Sequence, residues 1–347
     1  MTIGVDLRCL PNDGTPGAGV AHAARELWHA LVRERADLVG FAPRGASLGS
    51  PSVVWLPDST GASLRRALKH HRVDALFVAS GAVPWGIDVP VYPWVHDVAI
   101  FEHPEWFPQP WLKRQLTTRL FLRGLKRAKH IFCVSENTKQ SLIHRFGFDP
   151  KQVTVTLQGV EREEGVMMAT GTGSFALVMG TVEPRKNISF LISLWPEVCK
   201  RVGHAVDLVI AGADGWGKDA KEISVKAKGK SIVRKKHVSD EEYRELLGTT
   251  RMLLTPSLYE GFGRPAIEAM TWGVPVVVSD RGALPEVVGD GGLVLSLDDR
   301  AKWVESVVRL FTDQKYWDEW NANALKRSEK FSWEKVSRII LDMLAKA

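Results

Sequence analysis

The sequence predicts an α/β fold with two doubly wound, parallel-sheet domains that face each other across a cleft. Three observations lead to this prediction. The chain has 347 residues, enough for about two domains. Short apolar runs of strand character alternate with helical patterns along most of its length, as in βαβ units. A charged, glycine-rich segment at residues 159–173 interrupts this alternation near the middle of the chain and is interpreted as a linker.

In the first half, we expect strands at residues 3–7, 53–56, 75–79, 91–95, 131–134 and 153–155. The loop between the first strand and the first helix contains Gly17 and Gly19. Glycines at this position let a ligand approach the backbone closely, although their spacing does not match a dinucleotide fingerprint. A flexible loop before a helix is an equally good interpretation of the loop alone.

In the second half, we expect strands at residues 175–179, 206–211, 231–234, 252–254, 276–278 and 293–295. The predicted domains are residues 1–165 and residues 166–331, both Rossmann-like. Residues 332–347 form an amphipathic helix that could cross back to the first domain.

The most informative stretch is residues 257–270, where Glu260 and Glu268 lie on either side of a glycine-rich turn. Pro256 is expected to end the preceding strand, and Pro265 suits the first turn of a helix. Backbone N–H groups beside a helix N-terminus bind anions such as phosphate. Carboxylates there cannot bind phosphate, but they accept hydrogen bonds from hydroxyl groups. A nucleotide-sugar carries both kinds of group and would use both features.

Two further polar clusters follow predicted strands. His96 follows residues 91–95, and Arg185 with Lys186 follows residues 175–179. In open parallel sheets, ligands bind outside the carboxyl ends of the strands. Arginine offers a planar fork and lysine a point charge to a diphosphate. The alternative interpretations are a solvated basic turn, a structural histidine, and ordinary salt bridges at the two glutamates.

Composition excludes several classes of protein. No apolar run approaches the roughly 20 residues that span a bilayer, and the first residues do not form a signal peptide. The three cysteines, Cys9, Cys133 and Cys199, are widely separated and lack metal-ligand spacing. We therefore expect a cytoplasmic protein that uses neither a metal ion nor a cofactor.

The formal net charge of +6 is concentrated in the first half of the chain. Residues 106–135 contain no acidic side chain, and their seven lysines and arginines are interleaved with Trp, Phe and Leu. A second basic stretch covers residues 64–72. We hypothesise that the first domain docks on an anionic membrane surface at the inner face of the cytoplasmic membrane. Solvated helix faces are an equal alternative, and no nucleic-acid-binding module is visible.

Taken together, these motifs resemble the retaining sugar-nucleotide glycosyltransferases of glycosyltransferase family 4, which have the two-domain GT-B fold. The resemblance is strongest over residues 175–295 and also covers the segments 17–19, 95–97, 131–136 and 159–160. Bacterial polysaccharide mannosyltransferases are the most similar members. This resemblance implies a metal-independent hexosyltransferase, with mannose from GDP-mannose as the leading donor and a glycan or lipid-linked glycan, as in lipopolysaccharide, as the acceptor. A UDP-hexose donor is a close alternative.

The resemblance also implies roles for individual residues. In this family the histidine and the first glutamate lie against the donor sugar, the basic pair holds the diphosphate, and the second glutamate binds the ribose. The implied catalytic residues are His96 and Glu260. The implied donor-binding residues are Arg185, Lys186, Gly261, Phe262, Gly263, Glu268, Gly17 and Gly19.

The sequence departs from the family pattern at Thr181, where many members have arginine, and in the loop that contains Gly17. A nucleotide-sugar epimerase and a non-enzymatic sugar-nucleotide-binding protein remain alternative hypotheses.

Overall fold

The structure, a computed structural model, describes residues 1–15, 17, 19–49, 52–161, 168–217, 223 and 231–346. The chain divides into two compact units. The first comprises Met1–Phe101, Gln109–Gly159 and Phe331–Ala347, and the second comprises Glu102–Pro108 and Val160–Lys330. The sequence placed this boundary at residue 165. Residues 162–167 of the predicted linker lie outside the described ranges.

The first unit contains a seven-stranded parallel sheet in the order β3-β2-β1-β4-β5-β6-β7. Its strands are β1 (Ile3–Asp6), β2 (Val39–Pro43), β3 (Val53–Leu56), β4 (Ala75–Val78), β5 (Val91–Val95), β6 (Ile131–Cys133) and β7 (Val153–Val155). Its helices are α1 (Val20–Glu34), α2 (Gly61–His70), α3 (Ala99–Glu102), α4 (Trp111–Lys126) and α5 (Glu136–His144). Helix α3 ends at Glu102, where the chain enters its short segment of the second unit.

Strand β2 was missed in the sequence because Gly40 and Pro43 weaken its strand pattern. The structure explains the glycine. A Cβ on Gly40 would lie 2.9 Å from the indole of Trp28, which is completely buried. The close approach of this large ring to the strand therefore requires a residue without a side chain.

The second unit contains a six-stranded parallel sheet in the order β10-β9-β8-β11-β12-β13. Its strands are β8 (Phe175–Met179), β9 (Asp207–Ala211), β10 (Ile232–Lys235), β11 (Met252–Thr255), β12 (Val276–Ser279) and β13 (Leu293–Leu295). The helices that the structure describes here are α6 (Ile188–Val202), α7 (Asp240–Thr249), α8 (Arg264–Thr271), α9 (Leu284–Val288), α10 (Arg300–Thr312) and α11 (Gln314–Ser328).

The central strands of both sheets are apolar on their two faces. Strand β4 is completely buried along its length, and so is all of β11 except Thr255. This burial explains why the strands read as continuous apolar runs without alternation, because helices cover a parallel sheet on both sides. The prediction of two doubly wound parallel sheets is confirmed.

The last helix, α12 (Trp333–Leu344), belongs to the first unit and packs against α1. The indole of Trp333 lies 6.2 Å from that of Trp94 on β5. At Gly159, any Cβ would lie within 2.5 Å of the Trp333 ring. Arg338 on α12 also approaches Glu34 at the end of α1, with Nε and Oε2 3.4 Å apart. The C-terminal segment thus completes the packing of the first unit.

Within the described ranges, no helix combines the length and the apolar character needed to cross a bilayer.

Candidate functional site

The principal site lies in the second unit, where two loops meet at the ends of neighbouring strands. The order of the sheet reverses between β8 and β11, which are adjacent in space but far apart in sequence. Ligands of doubly wound sheets bind at this type of switch point. The loop after β8 carries Arg185 and Lys186, and the loop after β11 carries Glu260. The backbone N–H of Leu258 donates to the carbonyl of Arg185 at 2.7 Å and ties the two loops together.

Glu260 is the centre of this site, and only 6% of it is exposed. Its Oε1 accepts hydrogen bonds from Lys186 Nζ at 2.6 Å and from Ser257 Oγ at 2.7 Å. Its Oε2 accepts one from Arg185 Nη1 at 2.9 Å. The same Nη1 donates to the backbone carbonyl of Tyr259 at 3.2 Å. Both carboxylate oxygens are therefore held by charged or hydroxyl donors from within one unit.

These contacts determine the ionisation of Glu260. Burial by itself would raise the pKa of the carboxyl group. The opposing charges of Lys186 and Arg185, with the hydrogen bonds from Lys186 and Ser257, outweigh burial and lower the pKa from 4.5 to about 2. Glu260 is therefore a carboxylate at neutral pH. It can accept hydrogen bonds or stabilise positive charge, but it cannot donate a proton.

A second buried carboxylate, Glu183, completes the cluster. Its Oε1 lies 2.5 Å from Arg185 Nε, and its side chain is 4% exposed. Burial raises the pKa of Glu183, and the nearby charge of Glu260 also raises it, whereas Arg185 and Lys186 act in the opposite direction. The cluster thus contains two cations and two carboxyl groups. The predicted diphosphate-binding pair is the counter-ion of Glu260 in this structure.

The turn after Glu260 leads directly into helix α8. Gly263 caps the helix in the left-handed region at φ 92°, and Pro265 lies in its first turn as predicted. A Cβ on Gly263 would also lie 2.7 Å from Leu284 Cδ2. Gly261 and Phe262 are buried. The helix start therefore lies beside the cluster and adds its positive dipole end to the site.

Glu268 lies one turn into α8 and belongs to a different group of side chains. Its Oε1 accepts a hydrogen bond from Arg264 Nε at 2.7 Å, and its Oε2 accepts one from the Tyr243 hydroxyl at 3.0 Å. Burial raises the pKa of Tyr243, and the charge of Glu268 raises it further. The phenol therefore stays protonated and donates to Glu268. The two glutamates are therefore held by different side chains.

His96 lies at the end of β5 in the first unit, where the sequence placed it. Its Nε2 is 2.8 Å from the Ala79 carbonyl, and its Nδ1 is 3.2 Å from the side-chain nitrogen of Gln158. Because the Ala79 carbonyl can only accept a hydrogen bond, Nε2 carries a proton and donates to it. The imidazole also meets the Trp94 ring edge-on at 4.4 Å. Both ring nitrogens of His96 thus contact the protein.

The glycines of the first loop also lie in the first unit. Gly17 and Gly19 have φ 72° and 55°, so both occupy backbone conformations that other residues rarely adopt. Gly19 precedes α1, and a Cβ there would meet no atom within 4 Å. The space around a Cβ at Gly19 is therefore open. Ala18 lies outside the described residues.

Several residues of these sites were not identified from the sequence. Ser257 and Glu183 hold Glu260 and Arg185. Both belong to the polar stretches that follow the two strands, but the sequence pattern assigns neither of them a role. Arg264 could have been found, because it lies four residues before Glu268 on one helix. Tyr243 could not, because its contact with Glu268 spans two helices that only the fold brings together.

The segment Glu102–Pro108 was also missed. It belongs to the second unit, and the His103 ring lies 5.9 Å from that of Tyr259, next to Glu260. Trp106 stacks on His103 at 4.1 Å, and its carbonyl accepts a hydrogen bond from Trp216 Nε1 at 2.5 Å. No local pattern in the sequence indicates that this segment packs against residues more than 100 positions away.

In the part of the chain that the structure describes, no group of three or more His, Cys, Asp or Glu side chains could hold a metal ion.

Comparison with known proteins places these sites in context. A model of glycosyl transferases group 1 matches residues 168–327, and a model of glycosyltransferase family 4 matches residues 17–164. The O-antigen chain mannosyltransferase B of Escherichia coli is 29% identical over 252 residues, which cover 69% of this chain and 66% of that protein. The O-antigen chain mannosyltransferase RfbU of Salmonella typhimurium strain LT2 is 28% identical over 218 residues, which cover 61% and 58%. The matched stretch spans less than two thirds of either relative's length.

Among solved structures, the sucrose-phosphate synthase of Thermosynechococcus elongatus is similar over almost the entire chain. The TM-score is 0.80 at 15% identity, with 99% of this chain and 98% of that one covered. At this identity the likeness concerns the fold alone. Together with the two parallel sheets, it confirms the predicted GT-B fold.

Proposed function

Because this chain belongs to the glycosyltransferases of family 4, we propose that it transfers a hexose from a nucleotide-sugar to a glycan or lipid-linked glycan, with retention of anomeric configuration. The observation that carries the proposal is the ion-pair cluster of Arg185, Lys186 and Glu260 at the switch point of the second sheet. Mannose from GDP-mannose is the proposed donor, because both relatives described above are named as mannosyltransferases. The run from Gly180 to Asn187 resembles that of bacterial polysaccharide mannosyltransferases and supports the same donor.

The proposed donor contacts follow from the geometry of the second unit. Lys186 gives one hydrogen bond to Glu260, and an ammonium group has two more protons to offer a diphosphate. The N-terminus of α8, with Gly261, Phe262 and Gly263 before it, supplies backbone N–H groups. In this arrangement, positive charge and helix dipole stabilise the leaving diphosphate without a metal ion.

Glu260 and Glu268 have different roles in the proposal. Since Glu260 stays ionised down to a pH near its pKa of about 2, we assign it to the sugar. There, a buried carboxylate accepts a hydrogen bond from a sugar hydroxyl group or faces the positive charge that develops at the anomeric carbon. Glu268 is assigned to the ribose hydroxyls, with Arg264 and Tyr243 as the groups that orient it.

His96, Gly17 and Gly19 are proposed to contact the donor from the first unit. His96 contacts Ala79 and Gln158, and its proposed role is to place the imidazole against the donor sugar. The open backbone at Gly19 suits a close approach of the diphosphate or the sugar.

We assign the acceptor side to the first unit, at an anionic membrane surface. Helix α4 carries Leu112, Leu116 and Leu120 on one face at helical spacing, and Leu112 and Leu116 are 74% and 59% exposed. Exposed leucines of this kind suit the boundary between lipid headgroups and acyl chains. Lysines and arginines flank them, and residues 106–135 contain no acidic side chain. A lipid-linked acceptor would be found at such a surface, which would make the protein peripheral at the inner face of the cytoplasmic membrane.

Donor binding provides the first test. A ligand that binds only the native state raises its melting temperature, so GDP should raise that temperature more than UDP or ADP does. The Glu268→Ala variant should lose most of this rise. The Glu260→Ala variant should keep most of it and lose transfer activity. Glu305→Ala, an exposed change on α10, serves as the control.

Product analysis provides the second test. Incubation with GDP-mannose and a cell-envelope lipid extract should yield an α-linked product, because GDP-mannose is α-configured and the mechanism retains configuration. Near-normal transfer by both glutamate variants would refute the assigned roles. A larger rise in melting temperature with UDP than with GDP would refute GDP-mannose as the donor and indicate a UDP-sugar.

A further inference from the structure

A groove in the first unit lies outside the donor site and has no role in the proposed transfer reaction. It runs along α2 and the segment 86–89, with a volume of about 640 Å³. Four basic side chains line it, those of Arg65, Arg66, Lys69 and Arg72. The one carboxylate among the lining residues is that of Asp88. All four are exposed, and none of them has an ion-pair partner within the described residues. The groove is therefore strongly positive.

The floor of the same groove is apolar. Leu68, Val73 and Ile87 line it, and each is at most 7% exposed. A purely inorganic anion would gain nothing from this floor. An anion with a hydrocarbon portion would use both the floor and the basic rim, because burial of apolar surface adds to the charge attraction.

Arg65 gives the groove a defined wall. Its guanidinium lies over Gly86, where any Cβ would be 2.3 Å from Arg65 Nη1. Nη1 also lies 3.4 Å from the Trp85 carbonyl. On the other side of Arg65 is a smaller cavity of about 340 Å³, lined by Arg8, Pro84 and Trp85 among others. Position 86 thus requires glycine for two reasons. Its φ is 69°, and Arg65 approaches its backbone too closely for a Cβ.

The segment 83–85, which directly precedes the groove-lining residues 86–89, contacts helix α4 and the residue after it. Trp85 is 50% exposed, and the Arg127 guanidinium lies over its ring, 5.9 Å from the centroid. The ideal Cβ position of Gly124 on α4 lies 3.0 Å from Val83 Cβ. An exposed tryptophan therefore links the basic groove to the helix that carries the exposed leucines. In membrane-bound proteins, tryptophan side chains are enriched at the interface between lipid headgroups and acyl chains.

We propose that this groove binds the phosphate headgroup of an anionic phospholipid, with the start of its hydrocarbon portion on the apolar floor. The inference rests on the membrane contact assigned to the first unit and identifies a specific headgroup site within it. The groove would set the orientation of the first unit on the bilayer, with α4 in the interface beside it.

The test uses the full-length protein and co-sedimentation with two kinds of vesicle, phosphatidylcholine alone and phosphatidylcholine mixed with phosphatidylglycerol. The groove variant is Arg66→Ala with Lys69→Ala, which spares the packed Arg65. The matched control is Arg145→Ala with Lys151→Ala, which removes the same charge from exposed positions elsewhere in the first unit. A basic residue near an anionic membrane contributes about a fivefold gain in binding, so the groove variant, which loses two, should bind mixed vesicles about 25-fold more weakly.

The control should lose much less, and binding to phosphatidylcholine alone should be equal in all three proteins. Equal losses in the two double variants would mean diffuse charge attraction and would overturn the headgroup site. If inorganic phosphate at constant ionic strength displaces the wild type from mixed vesicles, the groove takes free phosphate and the lipid assignment fails. The GDP-induced rise in melting temperature, which reports the donor site, should be unchanged in every variant. Its loss in the wild type would count against the proposed transferase and not against the groove.

Discussion

The buried carboxylate of Glu260 offers the sharpest test of the site geometry through the substitution Glu260→Gln. This change keeps the size of the side chain and removes its charge, so Arg185 and Lys186 lose their shared counter-ion. The pKa of Glu260 falls from 4.5 to about 2 on folding, which corresponds to about 3 kcal/mol of stability at neutral pH. Breaking a buried ion pair from one side costs about 3–5 kcal/mol in general, in agreement with this value.

The sign of the pH dependence follows from the lowered pKa. A carboxyl group with a lower pKa in the folded state stabilises the fold above its unfolded pKa and loses this contribution as the pH falls through the folded value. The contribution of Glu260 to the free energy of unfolding should therefore be complete above a pH of about 5 and decline towards pH 2. At about pH 3.5, roughly 2 kcal/mol of it should remain.

Urea unfolding of the wild type and of Glu260→Gln at the two pH values measures this difference. Glu305→Gln provides the control, since that side chain is exposed on α10 and should change stability by less than about 0.5 kcal/mol. A Glu260→Gln variant as stable as the wild type at neutral pH would refute the ion-pair geometry. A difference between the two proteins that stays constant down to pH 3.5 would refute the assignment of the lowered pKa.

Three further predictions concern single residues. Gly263→Ala should lower the free energy of unfolding by about 3 kcal/mol, because φ is 92° and the new Cβ would collide with Leu284. Gly203 has φ 82° and open space around its Cβ position, so Gly203→Ala should cost only about 1 kcal/mol in the same urea titration. Arg251→Met should lower the free energy of unfolding by about 3 kcal/mol, because the guanidinium donates hydrogen bonds to the carbonyls of Leu310 and Gly171. A thermal unfolding curve equal to that of the wild type would contradict these buried hydrogen bonds. Tyr243→Phe should cost about 1 kcal/mol and reduce the GDP-induced rise in melting temperature, whereas Tyr316→Phe should leave that rise unchanged.

Much of the fold was predictable because its signals are local. Strands such as Val91–Val95 and Phe175–Met179 were placed at their observed limits, since a run of buried apolar residues bounded by turns has few other structures available. Pro265 in the first turn of α8 follows from the fixed φ of proline, and the glycine before that helix follows from the left-handed backbone that its start requires. The strand Val39–Pro43 was missed because its glycine is explained only by Trp28, which packs on it from another element.

The residue types of the candidate site and their places at strand ends were likewise determined by the sequence. Arg185 and Lys186 follow one strand, Glu260 follows another, and the glycine-rich turn precedes a helix. The partners of these residues were decided by the tertiary structure alone. Glu260 meets Arg185 and Lys186 about 75 positions away because β8 and β11 are neighbours in the sheet, and Tyr243 reaches Glu268 from a different helix. Local propensities act over a few residues, whereas the pKa of a buried carboxyl group depends on every charge within a few ångströms, and only the packed fold brings those charges together.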